Sequence, residues 1–154
     1  MKRFISLFLC LIITLSIFTP FSVHAAESSD TTTDIIVFED GSYLEIVTTS
    51  ISTRASGTKT GYKSYTYVNN SNVLIWKATL TATFTYTGTT STCTSANCSV
   101  SISDNEWYVI SNSTSRSGNT ATTNLTMGRK VLGITVTKPS YTITLSCDKD
   151  GNLS

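Results

Sequence analysis

Histidine is the scarcest chemically useful residue in this chain. There is one, His24, and it falls in an N-terminal segment that reads as an export signal. A mature chain without it excludes Ser-His-Asp and Cys-His nucleophile systems and any histidine-ligated metal. Proline is nearly as rare, at Pro20 and Pro139 only. Charged residues make up 14% of the chain, too few and too balanced to form a basic face, so no nucleic-acid partner is expected. An apolar period of helical spacing is missing after residue 26, which excludes a helical bundle.

Residues 1–26 carry the order of a secretory signal: Met1-Lys2-Arg3, an apolar run from Phe4 to Phe18, then Pro20 and "FSVHAA" with Val23 and Ala25 at the positions a signal peptidase reads. The run is shorter than the ~20 residues that span a bilayer, and no small residues precede Cys10 as a lipoprotein anchor would need. The expected location is therefore extracellular, with no stable membrane insertion once the signal is cleaved. Without Lys2 and Arg3 the bases fall from 11 to 9 against 10 acids, a net charge of −1. Residues 27–154 suffice for one domain.

The remaining charge is unevenly placed. Glu27 to Glu45 holds six acids and no base; from Arg54 onward there are nine bases and four acids. "ESSDTTTD" reads as a flexible tail, and "IIVFEDGSYLEIV" as two strands about the Asp40-Gly41 turn. Thr48 to Gly61 has the small polar composition of a linker. Segment 27–54 is thus either an acidic leader, removable by a protease acting at Arg54, or a hairpin plus linker, with residues 55–154 as the main domain.

From Tyr62 the chain reads as short strands separated by turn residues, which predicts an all-β fold, an antiparallel β-sandwich or else a small β-barrel. In "WKATLTATFTYTG" the side chains alternate faces: Trp76, Ala78, Leu80, Ala82 and Phe84 share one side, and Lys77, Thr79, Thr81, Thr83 and Thr85 the other. "TVTKPSYTITLS" repeats the design. A lattice-binding threonine face would need several adjacent strands in register and few charges. Lys77 interrupts the row and no fixed repeat exists, so the threonines read as the wet side of a sheet.

Three cysteines survive export: Cys93, Cys98 and Cys147. An oxidising destination favours a bridge, and spacing leaves open a local Cys93–Cys98 loop, a long Cys93–Cys147 loop, or a third pairing. A lone C-x4-C pair is a poor metal signal, and neither a metal nor another cofactor is expected. Tyr62, Tyr65, Tyr67, Trp107 and Tyr108 are the candidates for a ligand platform, because aromatic rings offer flat apolar faces with polar handles. Trp76, between Leu74 and Ala78, belongs to the core. Asp104 and Glu106 are the one close carboxylate pair in the basic part and read as a solvated turn without a catalytic role.

"EDGSYLEI", "YVNNSNVLIWKATLTATFTYTG", "SRSGNTAT", "GRKVLGITV" and the terminal "LSCDKDGNLS" resemble a group of small secreted all-β proteins of Gram-positive, Clostridia-type gut bacteria. The resemblance implies export and an all-β domain, brings no activity or catalytic residues, and favours Cys93 with Cys147 as the disulfide. The sequence therefore points away from an enzyme and toward a secreted binding or surface-interaction module, its partner a glycan or cell-surface polymer. The other readings are an antagonist or toxin with a removable acidic leader, and a histidine-independent hydrolase.

Overall fold

A computed structural model describes residues 28–52 and 57–154. The signal segment with Cys10 and His24, and the processing candidate Arg54, lie outside the described residues. Among the described residues nine strands follow in order: β1 Ser28–Val37, β2 Tyr43–Ser52, β3 Thr58–Val68, β4 Leu74–Tyr86, β5 Ser91–Ile102, β6 Trp107–Ser117, β7 Thr120–Val131, β8 Ile134–Thr137 and β9 Ser140–Ser146. They form two open antiparallel sheets, one ordered β1-β2-β3-β4-β5 and one of β6-β7-β8 with β9 also on β7. The sandwich expectation holds; the barrel alternative does not, because the sheets do not close on one another.

The core follows from the alternation in β4. Trp76, Ala78, Leu80, Ala82 and Phe84 are all at most 1% exposed. They meet the inward row of the second sheet, Ala121, Leu125 and Met127 from β7 with Ile143 and Leu145 from β9. Burying each large side chain of this set contributes about 1.5–3 kcal/mol. Gly61 sits in β3 because Leu145 and Leu153 press onto its backbone; a Cβ there would lie 2.3 Å from Leu153 Cδ1.

The opposite face of β4 is the wet one. Its threonines bond laterally to hydroxyls on β3, Thr79 to Ser64 at 3.0 Å and Thr83 to Thr60 at 3.2 Å. Further out Thr31 meets Thr49 at 3.3 Å. Hydroxyls therefore do fall in register across strands, but they satisfy one another. Glu45 and Lys77 lie in the same cross-strand row on either side of Thr66, and strand twist denies the face a flat lattice.

Several boundaries differ from the sequence expectations. The expected flexible tail is strand β1 from Ser28 onward, in register with β2 from Ser28↔Ser52 to Val37↔Tyr43; its three consecutive threonines are branched at Cβ and suit an extended backbone. Most of the expected linker is also strand, since β2 runs to Ser52 and β3 starts at Thr58. Segment 28–52 is a hairpin built into the sheet: β2 pairs with β3 over ten residues, and Leu44 is buried in the core. The sequence run Val131 to Thr137, apolar enough to read as a single strand, forms a hairpin turning at Leu132-Gly133. Pro139 lies on the line joining β8 and β9, which form the edge of their sheet beside β7; there its missing N–H breaks no ladder bond.

The hairpin's integration yields a test of the removable-leader reading. A chain of residues 55–154 loses the full burial of Leu44, about 1.5–3 kcal/mol, together with the partial burial of Ile46 and the ten-residue β2–β3 ladder, out of the 5–15 kcal/mol typical of a domain. It is expected to show no cooperative urea transition, whereas 27–154 shows one. A cooperative transition in the short chain would make the hairpin dispensable.

Candidate ligand-binding cleft

At one pole of the sandwich the β1–β2 turn, the ends of β3, β6 and β7 and the β8–β9 link surround a cleft of about 500 Å³. Phe38, Tyr67, Trp107, Pro139 and Tyr141 supply its apolar lining, and Glu39, Asp40, Ser42, Arg129 and Thr137 its polar lining. A recess of about 290 Å³ shares Asp40, Ser42, Tyr67, Trp107 and Arg129 with it and adds Asn69, Asn70 and Asp104. The aromatic wall grows out of the core. Tyr67 stacks on Trp76 at 5.7 Å between ring centres and 21° between planes, and Trp76 meets Tyr141 at 5.0 Å. Tyr67 then contacts Trp107 at 5.3 Å and Phe38 at 6.1 Å. Register sets this up, because Tyr67 pairs with Trp76 on adjacent strands.

The polar groups are held as firmly. Asp40 Oδ1 accepts from both the backbone N–H and the hydroxyl of Ser42, and these bonds lower its pKa below the ordinary aspartate value. Arg129 donates from Nη2 and Nε to Glu106 Oε2 at 2.9 and 3.1 Å. Asp104 Oδ1 accepts from the Glu106 amide at 2.9 Å. The Asp104/Glu106 pair is therefore occupied by its own turn and by Arg129. Burial pushes the Tyr141 phenol up to about 12, with Tyr67 adding to the shift, and raises Tyr65 as well. Both phenols stay neutral at physiological pH and act as hydrogen-bonding groups. Among the described residues no cluster of three histidine, cysteine or acidic side chains could hold a metal.

Two of the five expected platform aromatics, Tyr67 and Trp107, line this cleft. Tyr65 packs against the core and donates to the Thr142 carbonyl at 3.3 Å. Tyr62 pairs with Thr49 and Thr81 on the outer face of the five-stranded sheet. Tyr108 lies on the outer face of the other sheet, its ring over Gly128, its hydroxyl 2.8 Å from Thr135 Oγ1 and Lys130 Nζ 4.7 Å from its centre. Sequence reasoning missed Phe38, Asp40, Arg129 and Tyr141. The turn around Asp40-Gly41 was visible, but only the meeting of the two sheets brings Arg129 and Tyr141 beside it.

The cysteines are buried free thiols in this structure. Cys93 and Cys98 belong to the single strand β5 and pair with Phe84 and Leu80 on β4. At about 3.3 Å per residue they stand roughly 13–16 Å apart along the strand, beyond the ~7 Å Cα limit of a disulfide. This corrects the local Cys93–Cys98 alternative. Cys93 and Cys147 instead flank the β6–β7 turn, donating their amides to the carbonyls of Gly118 and Asn119 at 2.8 and 3.0 Å. Burial raises the Cys93 and Cys98 thiol pKa values, against the opposing charge of Arg116 at Cys93. None of this activates a nucleophile.

The Asp40 bonds can be read directly. Its pKa is depressed in the folded state, so the stabilisation is present above the unfolded value and is lost as pH falls through the folded one. In a ¹H–¹⁵N titration the Ser42 amide should shift with a midpoint below 3.8. A midpoint at or above that value would mean the carboxylate does not hold the turn. Comparison with protein families, curated proteins and solved structures returned no match to this chain.

Proposed function

We propose that this chain is an exported, non-catalytic binding module that takes a glycan or sugar-bearing cell-surface polymer in the polar cleft. One observation carries the reading: the tilted Tyr67 and Trp107 rings open onto a space that Asp40, Ser42 and Arg129 also line. Sugar rings present apolar C–H faces that stack on aromatic rings, and hydroxyl edges that suit carboxylate, guanidinium and amide partners. The Asn69 and Asn70 side chains in the adjoining recess add such partners. A pull-down against cell-wall polymers, host glycans and mucin identifies the ligand class. Trp107→Ala should then weaken binding about tenfold or more, measured at a temperature where its lowered thermal transition still leaves it folded, while Tyr62→Ala leaves binding unchanged. Equal loss from both variants, or none from Trp107→Ala, would place recognition elsewhere.

Export also bears on the thiols. In an oxidising compartment Cys93 and Cys147, on either side of one turn, are the pair to bridge, and Cys98 stays reduced beside Thr123. Closing so long a loop contributes on the order of 4 kcal/mol by the chain-entropy account. Non-reducing peptide mapping of protein from the medium should recover a Cys93–Cys147 peptide and an alkylatable Cys98. A bridged peptide containing Cys98 would be the opposite result.

A further inference from the structure

The two poles of the sandwich differ in kind. Every exposed large apolar side chain among the described residues belongs to the half that carries the cleft, in its turns or the strand ends beside them. Among the described residues the other pole, with the Thr87–Thr90 and Gly118-Asn119 turns, has none. Leu132, at the tip of the β7–β8 hairpin, is the most exposed of these side chains at 97%, with Ile134 at 70% and Val136 at 56% beside it; Ile35 and Val37 on β1 stand at 60% and 69%.

Leu132 is the odd residue. It and Gly133 occupy the centre of a two-residue hairpin turn with φ of +52° and +81°. Asn, Asp or Gly ordinarily fills the first of these positions, for both conformation and solvation. A leucine there is strained and fully wetted, and nothing in the fold compensates for it. Such an outlier is a pointer to function. The hairpin's charges are of one sign: Arg129, Lys130 and Lys138 lie within residues 129–138, with no acid. Arg129 and Glu106 neutralise each other, which leaves Lys130 and Lys138 as the hairpin's net charge; the other acids of this half sit away from the hairpin, on β1, β2 and the β1–β2 and β5–β6 turns.

We propose that this hairpin docks the protein onto an anionic lipid bilayer, Leu132, Ile134 and Val136 entering the interface while Lys130 and Lys138 meet the headgroups. Apolar residues from separate turns at one end suit a planar, deformable partner, which needs no shape match to each of them. The contact is peripheral and spans nothing. It goes beyond the glycan reading and does not depend on it, although it would hold the cleft close to a membrane surface.

The test uses protein recovered from the medium and vesicles without any sugar-bearing lipid, so its outcome is independent of glycan binding. Vesicles containing phosphatidylglycerol should co-sediment the protein, and pure phosphatidylcholine should do so far less. Leu132→Asn should weaken binding on the order of tenfold and yet raise the thermal transition, because asparagine fits the turn. Opposite signs in the two readouts separate docking from folding. Lys130→Glu with Lys138→Glu should lower anionic-vesicle binding by about fivefold or more per lysine. Absence of binding to anionic vesicles, or full binding by Leu132→Asn, overturns the proposal. So does a dimer in sedimentation equilibrium that Leu132→Asn dissociates, which would make a second copy the occupant.

Discussion

The packing of β4's inward row against β7 and β9 is the interaction on which the rest of this molecule depends. Trp76 through Phe84 present five alternating apolar side chains to Leu125, Met127, Ile143 and Leu145, with almost no exposure on either side. Small and large residues alternate within the row, so Ala78 and Ala82 leave room for side chains from the facing sheet. Close packing of this kind makes a core sensitive to single methylene changes. The chain's low charge content is consistent with a molecule that spends its apolar residues here and covers the outer sheet with hydroxyls that bond to one another.

The cleft is a continuation of that core. Trp76 is fully buried, Tyr67 stacks on it, and Trp107 and Phe38 extend the aromatic chain to the surface. The rings that would meet a ligand are therefore supported from below by residues that cannot move without disturbing the sheets. This is the preorganisation a rigid binding site requires. The core carries a cost at the same place: the Trp76 Nε1–H is buried without a protein acceptor. An unsatisfied buried donor costs about 1–3 kcal/mol.

The sheets also divide the molecule along its length. One pole closes with polar turns and the β6–β7 clasp that holds Cys93 and Cys147 by their amides. The other keeps strand ends that run past the core, so residues such as Leu74 and Ile102 follow the apolar alternation but find no facing sheet. Strand length beyond the packed layer is what turns core-type residues into surface.

Alternation in "WKATLTATFTYTG" and "SYTITLSC" by itself determined the all-β class, the inward rows and the wet threonine face. Its period of two assigns each side chain to a face before any partner is known. The Asp40-Gly41 turn was legible from its own two residues. The Leu132-Gly133 turn was not, because leucine carries no turn signal and gives way there to pairing between β7 and β8. Nor did composition reveal that Ser28 to Asp34 is a strand: acidic polar residues read as tail until β2 offers them a register. Tertiary structure alone decided that Cys93 and Cys98 share one strand, that Tyr62 and Tyr108 face away from the cleft, and that Asp40, Arg129 and Tyr141 meet beside Tyr67 and Trp107. These are distances between residues far apart in the chain, set by how two sheets stack, and no local pattern encodes them.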